Sequence, residues 1–91
     1  MRVEVRTNIE LWAREMYVEV IGRFVDPEHP YLEQEAGDAA RFKMTAPESE
    51  IISFIETAKK EVLERLKERK ARYERARALA TKLSTVEEYL I

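Results

Sequence analysis

The stretch APESEIISFIETAKKEVLERLKERKARYERARALATK, residues 46–82, decides the fold. It contains no glycine, and its one proline, Pro47, stands where a helix can begin. Thr45-Ala46-Pro47-Glu48 has the capping-box pattern, in which the threonine side chain accepts from an exposed amide and the glutamate reaches back. The spacing predicts a helix over 46–83 with an apolar stripe of Ile51, Ile55, Ala58, Val62 and Leu66. The stripe continues weakly through Tyr73, Ala76 and Ala80 to Leu83, and Arg69 interrupts it. Glu56 with Lys60, Glu61 with Arg65 and Glu68 with Arg72 are i,i+4 pairs that each favour a solvated helix by about 0.2–0.5 kcal/mol.

Length turns this helix into a statement about function. At about 1.5 Å per residue it spans roughly 55 Å, against about 30 Å for a compact domain of this size. Ile51 and Ile55 are expected to pack within the chain. Beyond Leu66 the domain is expected to run out, so that the distal stripe needs a second surface. Val62, Leu66, Tyr73, Ala76, Ala80 and Leu83 are therefore the interface candidates, joined by Tyr89 and Leu90 of the short segment 84–91. Small alanines permit close helix approach, and a coiled-coil-like association follows, although the heptad is too imperfect to set an orientation.

Upstream, Val3, Val5, Thr7, Ile9 and Leu11 alternate with Arg2, Glu4, Arg6, Asn8 and Glu10, the period of a strand with one wet face. Met16 to Val25 is rich in β-branched residues and reads as a second strand, with a turn around Trp12 to Glu15 and Gly22 at a bulge. Ile9, Trp12, Met16, Val20 and Phe24 also fall at helical spacing, so a helix over the same residues stays open. Asp26-Pro27 and His29-Pro30 begin an acidic loop, 26–38, in which Tyr31, Leu32 and Ala36 offer at most one helical turn. Gly37-Asp38 reads as a turn before a short strand, Ala40 to Met44.

The fold class that results is α+β: a small antiparallel sheet or hairpin over 1–45 followed by the long C-terminal helix. An all-α hairpin or bundle is the alternative. One domain covers 1–91. Ser84-Thr85-Val86-Glu87 repeats the capping-box pattern and predicts a short helical turn after the main helix ends.

Composition narrows the function classes. Cysteine is absent, which excludes disulfides and thiolate metal ligation and leaves apolar packing to offset chain entropy. No secretory leader pattern and no apolar run of about 20 residues is present, so a cytoplasmic protein is expected, and the abundance of Glu and Arg would suit a thermophile. The net charge of -2 hides a dipole: residues 1–58 carry six basic and twelve acidic side chains, and residues 59–82 carry ten basic and four acidic ones.

Asp26, Glu28 and His29 bring one imidazole and two carboxylates together, but no second histidine or spaced acidic motif accompanies them. Phosphate-loop and zinc-helix motifs are missing. The expectation is a noncatalytic interaction or assembly module without cofactor or metal, whose partner is itself as a dimer or higher oligomer, or another protein. The alternative is a small nucleic-acid-binding protein that tracks phosphate with Lys67, Arg69, Lys70, Arg72, Arg75 and Arg77. Those charges wrap around the helix instead of sharing one face, which favours the first expectation.

Overall fold

A computed structural model of the chain describes residues 2–29 and 35–91. It contains a three-stranded antiparallel sheet followed by one long C-terminal helix. The strands are β1 (Arg2–Leu11), β2 (Glu15–Val25) and β3 (Glu35–Lys43), in the order β1-β2-β3, and the helix is α1 (Glu48–Leu83). The α+β expectation holds, and the all-α alternative does not.

β1 and β2 form a hairpin closed by the Trp12 amide donating to the Glu15 carbonyl at 2.9 Å. Their register is uninterrupted, with Val3 opposite Phe24, Val5 opposite Gly22, Thr7 opposite Val20 and Ile9 opposite Val18. Because side chains alternate across a strand, the apolar set of β1 shares a face with Val18, Val20, Gly22 and Phe24 of β2 and with Ala36, Ala40 and Phe42 of β3. α1 lies on that face. The opposite face carries Glu4, Arg6, Glu19 and Arg23, and at the hairpin end Trp12 stacks on Tyr17 with Arg41 5.0 Å above the indole.

Small residues let the helix approach the sheet. A Cβ at Gly22 would come within 2.4 Å of Val62 Cγ1 and 2.9 Å of Leu66 Cδ1, so this position is glycine because the helix crosses it closely, not because of a bulge. Ala36 of β3 and Ala58 of α1 are buried in the same layer. Val20, Phe24, Val62, Leu66 and Tyr73 complete the core, each large apolar side chain contributing about 1.5–3 kcal/mol by leaving water.

Four local expectations are corrected. Gly37 and Asp38 do not turn; they pair with Ile21 and Val20 inside β3, which starts at Glu35 instead of Ala40. Ala36 belongs to that strand, while Tyr31 and Leu32 lie outside the described residues. The capping box is not made: Pro47 occupies the N-cap with an extended backbone and no side-chain cap hydrogen bond, and the Ala46 amide donates to the Lys43 carbonyl. Residues 84–91 form no helical turn.

The largest correction concerns the helix partner. α1 is one continuous helix whose buried residues, Ala58, Val62, Leu66 and Tyr73, face the sheet of their own chain, and no second helix with which to form a coiled coil occurs among the described residues. The premise of a compact base about 30 Å across fails because the strands are long. At about 3.3 Å per residue the 11 residues of β2 reach some 36 Å, and the molecule measures 68 × 28 × 14 Å. The helix runs parallel to β2, and the sheet follows the stripe as far as Tyr73.

Candidate interaction surface

Tyr73 is anchored at the end of β2. Its ring stacks on Phe24 with centroids 4.8 Å apart, and its hydroxyl donates to Asp26 Oδ2 at 3.0 Å. The buried Asp26 carboxylate also accepts from Arg77 Nε at 3.0 Å and from the Glu28 amide at 3.2 Å. Burial by itself pushes this carboxyl up. The Tyr73 hydroxyl, the Arg77 guanidinium, the Glu28 amide and His29 more than reverse that and hold it below the ordinary carboxylate range. The charged loop is thereby committed to fastening α1 to the sheet. His29 Nε2 lies 3.4 Å from Thr81 Oγ1, and no group of His, Asp and Glu arranged to hold a metal occurs among the described residues.

The sequence-predicted interface residues separate into three groups. Val62, Leu66 and Tyr73 are sealed in the chain's own core. Ala76 and Ala80 are half-buried. Leu83 is 64% exposed, and Tyr89 and Leu90 stand in the fully exposed segment 84–91, where the Tyr89 hydroxyl donates to the Glu87 carboxylate.

The basic set is partly spent inside the chain. Arg69 Nη1 donates to the Glu35 carbonyl and Arg77 binds Asp26, while Lys67 pairs with Glu64 at 3.2 Å and Lys70 with Glu74 at 3.9 Å. Arg72 and Arg75 are exposed. They have no ion pair among the described residues.

Sequence reasoning missed a different apolar surface. α1 packs over β2 and β3 and leaves the inner face of β1 incompletely covered, with Ile9 46% and Leu11 73% exposed. The helix flank on that side adds Ile52 and Leu63, exposed by 50% and 41%. Eleven residues apart, they differ by about 20° around the axis. Leu63 and Leu66 line a shallow cleft of about 180 Å³ with Val3, Phe24, Lys67 and Lys70. The signal was present in the alternation of β1, but only the placement of the helix shows which part of that face stays bare.

The two sheet edges are treated differently. On β3, Arg65 Nη1 donates to the outward carbonyl of Gly37 at 2.8 Å and Arg69 does the same at Glu35. Outward carbonyls at odd positions of β3 mean that its even residues bond to β2. By the alternation of antiparallel ladders, the even residues of β1 then bond to β2, as the Trp12–Glu15 bond confirms at the hairpin end. The N–H and C=O groups of Val3, Val5, Thr7, Ile9 and Leu11 consequently point away from the sheet, and no other strand pairs with them among the described residues.

No helix is long and apolar enough to cross a membrane among the described residues. Comparison of the chain with protein-family models, with curated proteins and with solved structures returned no match.

Proposed function

We propose that this chain is a noncatalytic protein–protein interaction module whose working surface is the β1 side of the molecule. The observation that carries this is the set of exposed apolar side chains on that side, Ile9 and Leu11 of β1 and Ile52 and Leu63 of the helix flank, beside a strand edge that no other strand pairs with among the described residues. An exposed apolar surface next to unsatisfied backbone groups favours a protein partner, because another chain supplies both a greasy face and hydrogen-bonding groups. The helix contributes its flank to this surface while its principal stripe holds the fold together. The basic residues of α1 support solubility and attachment to the sheet, with Arg65, Arg69 and Arg77 bonded to its strands and loop.

A photo-crosslinking residue placed at Leu63, in the full chain expressed in its own cells, tests the surface. The expected result is a covalent protein adduct that is absent when the same probe replaces Glu64, which points away from this surface. Equal labelling at the two positions, or no protein adduct at Leu63, would overturn the proposal.

A further inference from the structure

We propose that the partner of this surface is a second copy of the chain, paired antiparallel through β1 about a twofold axis at Arg6. This rests on the β1-side interaction surface and specifies what fills it. The product is one six-stranded sheet of order β3-β2-β1-β1-β2-β3, with both helices on the same face.

Three features of one chain select this occupant. The first is the unequal guarding of the edges: arginines of α1 occupy two outward carbonyls of β3, those of Glu35 and Gly37, whereas β1 runs for 10 residues without proline, glycine or bulge. A long, regular and open edge is a template for another strand, and natural proteins normally block such an edge.

The second is charge. With Arg6 on the axis, Arg2 of each copy falls opposite Glu10 of the other, and Glu4 falls opposite Asn8. Within one chain, Arg2 and Glu10 have no ion pair among the described residues, so the pairing supplies each with its first. Arg6 meets Arg6, but each guanidinium already has Glu4 of its own chain at 3.1 Å, which reduces that repulsion.

The third is the apolar face. Val3 falls opposite Ile9 and Val5 opposite Thr7, so the incompletely covered side chains of both copies meet on the helix side of the sheet. These are the residues whose backbone groups point outward, and they complete about eight new hydrogen bonds. Other registers are worse. Moving by two residues in one direction sets Glu4 against Glu10, and moving in the other leaves Glu10 without a cross-strand partner and sets Arg2 opposite Asn8 instead. A shift of one residue would put the wet face of one β1 beside the apolar face of its mate.

Sedimentation equilibrium of the full chain is expected to show a species of twice the 10.7 kDa chain mass. Thr7→Pro removes an outward N–H that serves no bond within the sheet, so it is expected to give a monomer with unchanged far-ultraviolet circular dichroism. Arg2→Glu and Glu10→Arg are each expected to weaken the dimer about tenfold, and the double exchange to restore it. The chain has no cysteine of its own, so Arg6→Cys reports the register by forming a disulfide-linked dimer under mild oxidation, whereas Asn8→Cys does not.

A wild-type chain that stays monomeric at millimolar concentration would overturn the proposal. So would a dimer indifferent to both the charge exchanges and Thr7→Pro. Should Thr7→Pro fail to fold, failure of the double charge exchange to recover association is by itself sufficient to reject this register. Crosslinking from Leu63 to a different protein, with no self-association, would reject the second copy while leaving the interaction surface standing.

Discussion

Gly22 shows how one residue sets the distance between the two layers of this fold. Its absent Cβ is the space through which Val62 and Leu66 pass, so Gly22→Ala is expected to destabilise the chain by about 1–3 kcal/mol through overpacking, measured by urea unfolding. Elsewhere in a strand the same exchange would bring a benefit by restricting the unfolded chain. Tyr73 is the opposite case, a large side chain at the far end of the core. Tyr73→Ala removes the ring stacked on Phe24 and is expected to cost about 3–5 kcal/mol in the same experiment. Asp26 adds a pH dependence whose sign follows from its depressed pKa. Its charged form is favoured in the folded chain, so the stabilisation is fully present above the ordinary value of 3.8 and is lost as pH falls below it through the folded value. Thermal unfolding followed from pH 7 down to about 2 is expected to show that loss, and Asp26→Asn is expected to diminish it. None of these roles was visible in the residues alone. Asp26 reads as part of an acidic turn until Tyr73, 47 positions away, is seen to reach it.

At the level of elements, α1 was legible almost to the residue. The run without glycine, the stripe and the stop at Leu83 all come from local propensity and periodicity, which act within a few turns of chain. β2 was ambiguous for a definite reason. Met16, Val20 and Phe24 are four apart, a spacing that places residues on one side of a helix and equally on one face of a strand. Val18 and Gly22, between them on the same face, satisfy only the strand. β3 was half missed because Ala36, Gly37, Asp38, Ala39 and Ala40 have weak strand propensity; pairing with β2 and small volume beneath the helix decide their conformation. Its edge depends on α1. Replacing Arg65 and Arg69 together by alanine is expected to cost about 1–2 kcal/mol and to promote aggregation through the bared β3 edge, seen by light scattering.

For the whole molecule, shape follows from a helix longer than the strands it packs on: the 36 residues of α1 span about 54 Å, the 11 of β2 about 36 Å. A compact 91-residue globule would have a radius of gyration of about 12 Å. This chain has 18.7 Å and a long axis of 68 Å. Small-angle scattering from the monomeric Thr7→Pro variant is expected to return a value near 18.7 Å, and one near that of a compact globule would mean that α1 folds back on itself. An elongated two-layer plate has little depth in which to hide apolar surface. Its helix covers two strands of three and leaves the inner face of the third partly exposed.

The amino-acid sequence by itself determined the features that depend on neighbouring residues: the long helix that ends at Leu83, the alternation of β1 and the absence of thiol chemistry. Tertiary structure alone decided which apolar surface remained available. The helical stripe looked bare because a one-dimensional pattern carries no record of how far a sheet extends beneath it. β1 looked like an ordinary half-wet strand because its alternation does not say whether the helix lies above it. Both questions turn on where α1 crosses the sheet, and that crossing is set by the small residues Gly22, Ala36 and Ala58, brought together from three elements distant in the chain.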